Sequence, residues 1–150
     1  MKVHVLDANA LYRFLLDEPG AELVGRLFEQ ANHAGRPLQM SVANWGEVYY
    51  AIARAEGFAA TDSVFDRVRL LPLSLVDADE VVTKRAAQLK AGYGLPYADC
   101  FAAASAEPDG IVVTADTKNF ANSPPTAYRK SAGARCGSRE LLRESPTNGA

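Results

Sequence analysis

Four acidic residues, Asp7, Glu47, Asp99 and Asp116, stand where a folded chain could gather them around one cation. Asp7 closes a short β-prone run, KVHVL, at residues 2–6. Glu47 lies one turn into a helix that follows a second strand. Asp99 belongs to the first turn of a helix starting near Pro96, and Asp116 lies just beyond an apolar strand, Ile111–Val113. In open parallel sheets, ligand sites form in the crevice beyond the carboxyl ends of the strands. Acids far apart in sequence can meet there. Two carboxylates about 4 Å apart repel by about 4 kcal/mol at an effective dielectric near 20. A gathered set therefore needs protonation or a divalent ion. All-oxygen ligation suits Mg²⁺ or Mn²⁺, which keep waters for contact with a substrate. The reaction such an arrangement fits is phosphodiester hydrolysis.

Each acid also has an ordinary reading. Asp7 could be a helix N-cap, Asp99 could complement a helix dipole, and Asp116 could be a turn residue. Of the 18 Asp and Glu, most must be solvated surface charge. Glu47 is harder to place that way. It lies between Trp45, Val48, Tyr49 and Ile52 on a mostly apolar helix, where a charge needs a reason.

The elements that would position these acids alternate along the chain. After the first strand, Ala8–Leu16 and Ala21–Ala34 read as helices by their three-to-four spacing of apolar residues, separated by Glu18-Pro19-Gly20. Leu38–Val42 is a strand. A helix follows from Ala43 to Ala55, with Gly57 at its C-cap position, and Thr61–Arg69 is a shorter one. Leu70–Leu75 is a strand interrupted by Pro72, which suggests a sheet edge. Asp77–Ala91 is a helix that Asp77 can cap, and Gly92-Tyr93-Gly94 is a loop. A further helix runs from Pro96 to about Ala106. Strands separated by helices imply an α/β fold in three layers, a central parallel sheet with helices on both faces.

Composition bounds the rest. The chain has 150 residues, 48% of them hydrophobic, which suits one domain with a sizeable core. No run of 18 or more apolar residues exists, so no membrane-spanning helix is expected. The N-terminus lacks a secretory pattern. Cys100 and Cys136 form neither a disulfide framework nor a zinc spacing, so a cytoplasmic location is the expectation. Residues 1–122 hold 11 Lys/Arg against 16 Asp/Glu, and residues 123–150 hold 5 against 2. An acidic body does not bind phosphate backbones by charge alone, so a bridging cation is needed if nucleic acid is the partner. From Asn122 the chain turns rich in Ser, Pro, Gly and Arg, and we expect a nuclease-like domain at 1–121 followed by a weakly ordered basic tail at 122–150.

Taken together, Asp7-Ala8-Asn9-Ala10-Leu11, Glu47 within Asn44-Trp45-Gly46-Glu47-Val48, Asp99 within Pro96-Tyr97-Ala98-Asp99-Cys100, and Thr114-Ala115-Asp116-Thr117-Lys118-Asn119-Phe120 resemble the PIN-domain family. Within it, the likeness is to VapC-type toxins of bacterial toxin–antitoxin pairs. It covers about residues 1–120, in order. The resemblance implies a Mg²⁺- or Mn²⁺-dependent endoribonuclease, a cognate antitoxin protein as partner, RNA as substrate and a homodimer. Asp7, Glu47, Asp99 and Asp116 match the family's four acids, Thr114 the hydroxyl residue two before the last of them, and Asn9 the small polar residue two after the first. The departure is the tail, where the family's final short strand has no convincing counterpart in residues 121–150.

Other residues carry weaker expectations. Arg13, Arg54, Lys90 and Lys118 could contact RNA phosphates or be plain surface charge. Trp45, Tyr49 and Tyr50 could stack bases but read better as a helical core or subunit interface, and His4, His33 and Cys100 read as structural. An aspartyl-nucleophile phosphatase would want a second Asp where this chain has Asn9. A phospho-receiver would want an acidic pair and an Asp after a middle strand. The rival from another class is a catalytically inactive interaction module of the same fold that binds an antitoxin.

Overall fold

The computed structural model describes residues 2–115. Four strands and six helices follow one another as β1 (His4–Leu6), α1 (Ala8–Leu15), α2 (Ala21–Ala34), β2 (Leu38–Ser41), α3 (Val42–Glu56), α4 (Phe58–Val68), β3 (Leu73–Val76), α5 (Glu80–Tyr93), α6 (Tyr97–Ala106) and β4 (Ile111–Val113). The strands form one parallel sheet in the order β3-β2-β1-β4. The expected three-layer α/β architecture is present.

Alternation along the short strands divides the core into two layers. Leu6, Leu38, Met40 and Val113 face a cluster built with Ala10 and Leu11 of α1, Val24 and Phe28 of α2, Val48 and Ile52 of α3, and Phe65 and Val68 of α4. Val5 and Val112 point the other way, into a cluster with Ala86 and Leu89 of α5 and Cys100, Phe101, Ala102 and Ala103 of α6. Period-two burial with apolar residues on both faces is the signature of a parallel sheet covered on each side. Burying a Leu or Val side chain contributes about 1.5–3 kcal/mol, so these two clusters are the main source of stability.

Several boundaries differ from the sequence reading, each for a local reason. β3 begins at Leu73 rather than Leu70, and it is an edge strand, as Pro72 implied. Pro72 has no N–H to give the ladder, but its carbonyl accepts from Leu38 N–H at 2.8 Å and so starts the pairing. α4 begins at Phe58, directly after Gly57, whose φ of 82° makes the joint between two helices. α5 is capped by Asp79, whose carboxylate accepts from Val82 N–H at 2.8 Å, and not by Asp77. It also runs on through Gly92 and Tyr93, so the loop expected there is reduced to Gly94–Pro96. Asp116, Lys118, Cys136 and the tail at 122–150 lie outside the described residues. Among the described residues no helix is long and apolar enough to cross a membrane.

Candidate functional site

Because all four strands are parallel, their carboxyl ends share one edge of the sheet, and the chain leaves three of them close to an acid or hydroxyl. β1 ends at Leu6, paired with Val113 of β4. Asp7 N–H continues that ladder by donating to the Val113 carbonyl at 3.1 Å, which places Asp7 beside the start of Thr114. Both residues are buried, Asp7 at 1% exposure and Thr114 at 0%. β2 ends at Ser41, whose hydroxyl accepts from Ala43 N–H at 3.2 Å and starts α3. Glu47 is the sixth residue of that helix and Asp99 the third of α6.

Asp7, Glu47 and Asp99 line one open cleft of about 310 Å³, together with Asn9, Tyr12 and Tyr50. Three acids separated by tens of residues are thus brought to one surface. The ordinary reading of Asp7 holds as well: its Oδ1 accepts from Ala10 N–H at 2.8 Å and caps α1. The two roles are compatible, since an ionised carboxylate offers two oxygens and about four acceptor sites. Asp99, in the first turn of α6, benefits from the positive end of that helix. Glu47 is half-buried, and burial pushes its carboxyl above the ordinary value. Burial thus favours the protonated form of Glu47, because its charged form is poorly solvated there.

Among the described residues no three Asp, Glu, His or Cys side chains come close enough to hold one ion between them. The described acids share the cleft without forming a preassembled ion site. An all-protein cage of the zinc type is not what this donor set suits: the described cleft offers oxygen donors and neither sulfur nor imidazole. Carboxylates spaced around an open cleft fit Mg²⁺ or Mn²⁺. Asp116, the fourth expected acid, lies outside the described residues.

The cations sort themselves by their partners. Arg13 Nε donates to Asn9 Oδ1 at 2.9 Å and its Nη1 to the Pro19 carbonyl at 3.2 Å, so Arg13 fixes the Asn9 side chain at the cleft wall. Lys90 donates to the Leu95 carbonyl at 2.8 Å and anchors the loop ahead of α6. Arg54 stacks on Tyr50, its guanidinium carbon 4.9 Å from the ring centre. Trp45 and Tyr49 do belong to the core side, packed on Phe65 with ring centres 4.8 and 5.2 Å away. Tyr50 does not: it is 49% exposed and faces the cleft, one position round the helix from Tyr49. Cys100 is buried, and burial raises its thiol, which suits packing rather than reactivity.

One residue that carries the site was not assigned a role from sequence. Asn44 is fully buried three residues before Glu47. Its Oδ1 accepts from Ala8 N–H at 3.1 Å and its Nδ2 donates to the Ala98 carbonyl at 3.0 Å. Its position in the Asn44–Val48 motif was visible, but a buried amide gives no periodic signal.

Solved structures share this fold at low identity. A VapBC2 complex from Rickettsia felis, bound to a DNA fragment from its promoter, matches with a TM-score of 0.68 and 16% identity over 85% of this chain and 97% of that one. A DNA-bound VapBC from Salmonella typhimurium gives a TM-score of 0.68 and 17% identity over 86% and 98%. A toxin–antitoxin complex from Klebsiella pneumoniae gives 0.59 and 20% over 87% and 98%. No curated protein matches the chain by sequence. The profile of the PIN domain matches residues 4–123, from the first residue of β1 to beyond β4. With four-fifths of its length under that match, the chain belongs to the PIN domain family.

Proposed function

We propose that this chain is a Mg²⁺- or Mn²⁺-dependent endoribonuclease, the toxin of a type II toxin–antitoxin pair. The observation that carries the proposal is the single cleft lined by Asp7, Glu47 and Asp99 at the carboxyl edge of a parallel sheet. Asp7, Asp99 and Asp116 would hold the ion directly or through water. When bound, the ion supplies positive charge for the scissile phosphate and acidifies water beside it. Glu47, made more basic by burial, accepts the proton of the attacking water. Thr114 orients a ligand or water by hydrogen bonding, and Asn9, held by Arg13, supports the wall next to Asp7. Water attacks phosphorus, the bond from phosphorus to the 3′-oxygen breaks, and that oxygen leaves as a hydroxyl by taking a proton from solvent water. The products are a 5′-phosphate and a 3′-hydroxyl. Tyr50 and Arg54, stacked at the cleft rim, are suited to contact a nucleotide base and phosphate.

The fold shared with VapBC complexes supports an antitoxin protein as the neutralising partner, and a homodimer is proposed from the family resemblance alone. The second reading, an inactive antitoxin-binding module, is favoured by the wide spacing of the described acids. Incubating the purified chain with total RNA separates the two. The nuclease cuts with Mg²⁺ or Mn²⁺, leaves 5′-phosphate ends, and stops with a chelator or with Asp99→Asn. Cleavage that persists in chelator, or equally in Asp99→Asn, refutes the metal mechanism. A folded chain that neither binds Mn²⁺ nor cuts RNA, yet binds its antitoxin, establishes the second reading.

A further inference from the structure

The three described acids sit on three different helices, and one side chain joins those helices. We infer that Asn44 is a positioning residue that sets the spacing of Asp7, Glu47 and Asp99, an inference that rests on the metal-dependent reading above. Asn44 Oδ1 accepts from the N–H of Ala8, the residue after Asp7. Asn44 Nδ2 donates to the carbonyl of Ala98, the residue before Asp99. Asn44 itself precedes Glu47 by three residues on α3, so both project from one side of that helix. A single planar amide thus contacts the backbone beside two of the acids and shares a helix face with the third.

The chemistry demands an amide. Ala8 N–H is a donor at the first turn of α1, where no helical carbonyl can accept from it. The Ala98 carbonyl is an acceptor. Asparagine meets both at once, and only one orientation of its amide does so. Aspartate would keep the acceptor and lose the donor. Leucine has similar bulk and neither. Asn44 has no exposed surface, so each lost bond would leave a buried polar group facing no water. Relaxation of that mismatch moves α1 or α6 relative to α3, and with them Asp7 or Asp99. Residues bonded directly to ligand side chains typically govern metal affinity by about 10–100-fold, and Asn44 acts one step further out, through the backbone beside Asp7 and Asp99.

The test compares Asn44→Leu and Asn44→Ala with a control, Thr61→Val. Thr61 is as buried as Asn44 and donates to the Gly57 carbonyl at 2.7 Å, on α4 and away from the cleft. Mn²⁺ binding alone is measured by electron paramagnetic resonance on protein shown to be folded, and RNA cleavage is resolved into kcat and KM. Both Asn44 variants should bind Mn²⁺ about 10-fold more weakly, lose kcat/KM at limiting Mn²⁺ and recover cleavage as Mn²⁺ is raised, while Thr61→Val loses stability only. Wild-type affinity in either folded Asn44 variant overturns the inference. So does an equal loss in Thr61→Val, because stability alone then explains it. If both Asn44 variants fail to fold, Asn44 is a fold residue and the inference is wrong. Failure of the wild-type chain itself to bind Mn²⁺ refutes the metal reading instead, which keeps the two failures distinct.

Discussion

Replacing Asp7 by Asn and by Ala separates the cap seen in the structure from the metal-binding role proposed for it, because the two need different properties of one carboxylate. Capping needs an oxygen at Oδ1 to accept from Ala10 N–H, at 2.8 Å. Binding a cation needs the negative charge. Asn keeps the oxygen and is as good an N-cap as Asp, so Asp7→Asn retains the cap. It loses a charge–dipole interaction worth about 0.3–1 kcal/mol. Removing a buried anion from a cleft shared with Glu47 and Asp99 offsets that loss. Metal-free stability should therefore stay within about 1 kcal/mol of wild type. Asp7→Ala removes the cap and leaves the N–H of Ala10, a residue with no exposed surface, without its acceptor, a loss of about 1–3 kcal/mol. For a chain of this length, each kcal/mol lowers Tm by about 2–4 °C. Urea and thermal unfolding in chelator measure both variants, and cleavage in Mg²⁺ measures function. Both should be inactive, but only Asp7→Ala should be clearly destabilised. Equal destabilisation of the two would refute the cap argument, and cleavage by Asp7→Asn would refute the role of the charge.

Glu47 gives a pH signature. Burial raises its carboxyl above 4.5, so as pH rises the unfolded chain releases this proton before the native chain does, and this group's contribution to stability falls. Glu47→Gln removes that loss: it should unfold at higher urea than wild type at neutral pH and at the same urea below about pH 4, where both forms are protonated. Mn²⁺ at about 100 times its Kd should stabilise the wild type by about 2.7 kcal/mol, and Asp99→Asn should lose most of that shift in a thermal melt. Arg85 grips Glu107 with two bonds of 2.6 and 2.7 Å between α5 and the end of α6, partly exposed. Arg85→Met should therefore cost no more than about 1 kcal/mol in urea and leave cleavage per folded molecule unchanged.

How much of this was legible in the sequence depends on which force set each feature. The sheet and its helices were readable because apolar periodicity is written residue by residue: Leu23, Val24, Leu27 and Phe28 announce α2 without reference to anything distant. Glu47 was readable as an anomaly, a charge amid Trp45, Val48 and Ile52, and its raised carboxyl is the physical form of that anomaly. The choice of Asp79 over Asp77 as the cap of α5 was not readable. Both acids can cap, and the choice depends on where β3 stops pairing with β2, a contact between segments over thirty residues apart. Tyr50 was grouped with Trp45 and Tyr49 because all three are aromatic. The 100° turn between neighbours sends Tyr49 to Asp62 and Phe65 and sends Tyr50 to the cleft. Asn44 was hidden for a related reason, since its partners on α1 and α6 are defined only once three helices meet.

The fold also bears on why these acids can share a cleft before any cation arrives. The N-terminus of a helix carries roughly half a positive charge, and it fades within the first turn. Asp7 is the cap of α1 and Asp99 lies in the first turn of α6, so each faces such an end. Glu47, six residues into α3, lies beyond the reach of its own helix terminus. It is also the acid whose carboxyl burial raises. The three carboxylates are therefore not placed alike: Asp7 and Asp99 stand at helix N-termini and Glu47 does not. A phosphodiester approaching this cleft adds negative charge to it, and helix ends of half a unit each cannot balance ligand carboxylates and substrate together. On the metal-dependent reading proposed above, RNA affinity, and not only the rate of cleavage, should therefore depend on the divalent ion, and RNA binding that is unchanged in chelator would refute this step.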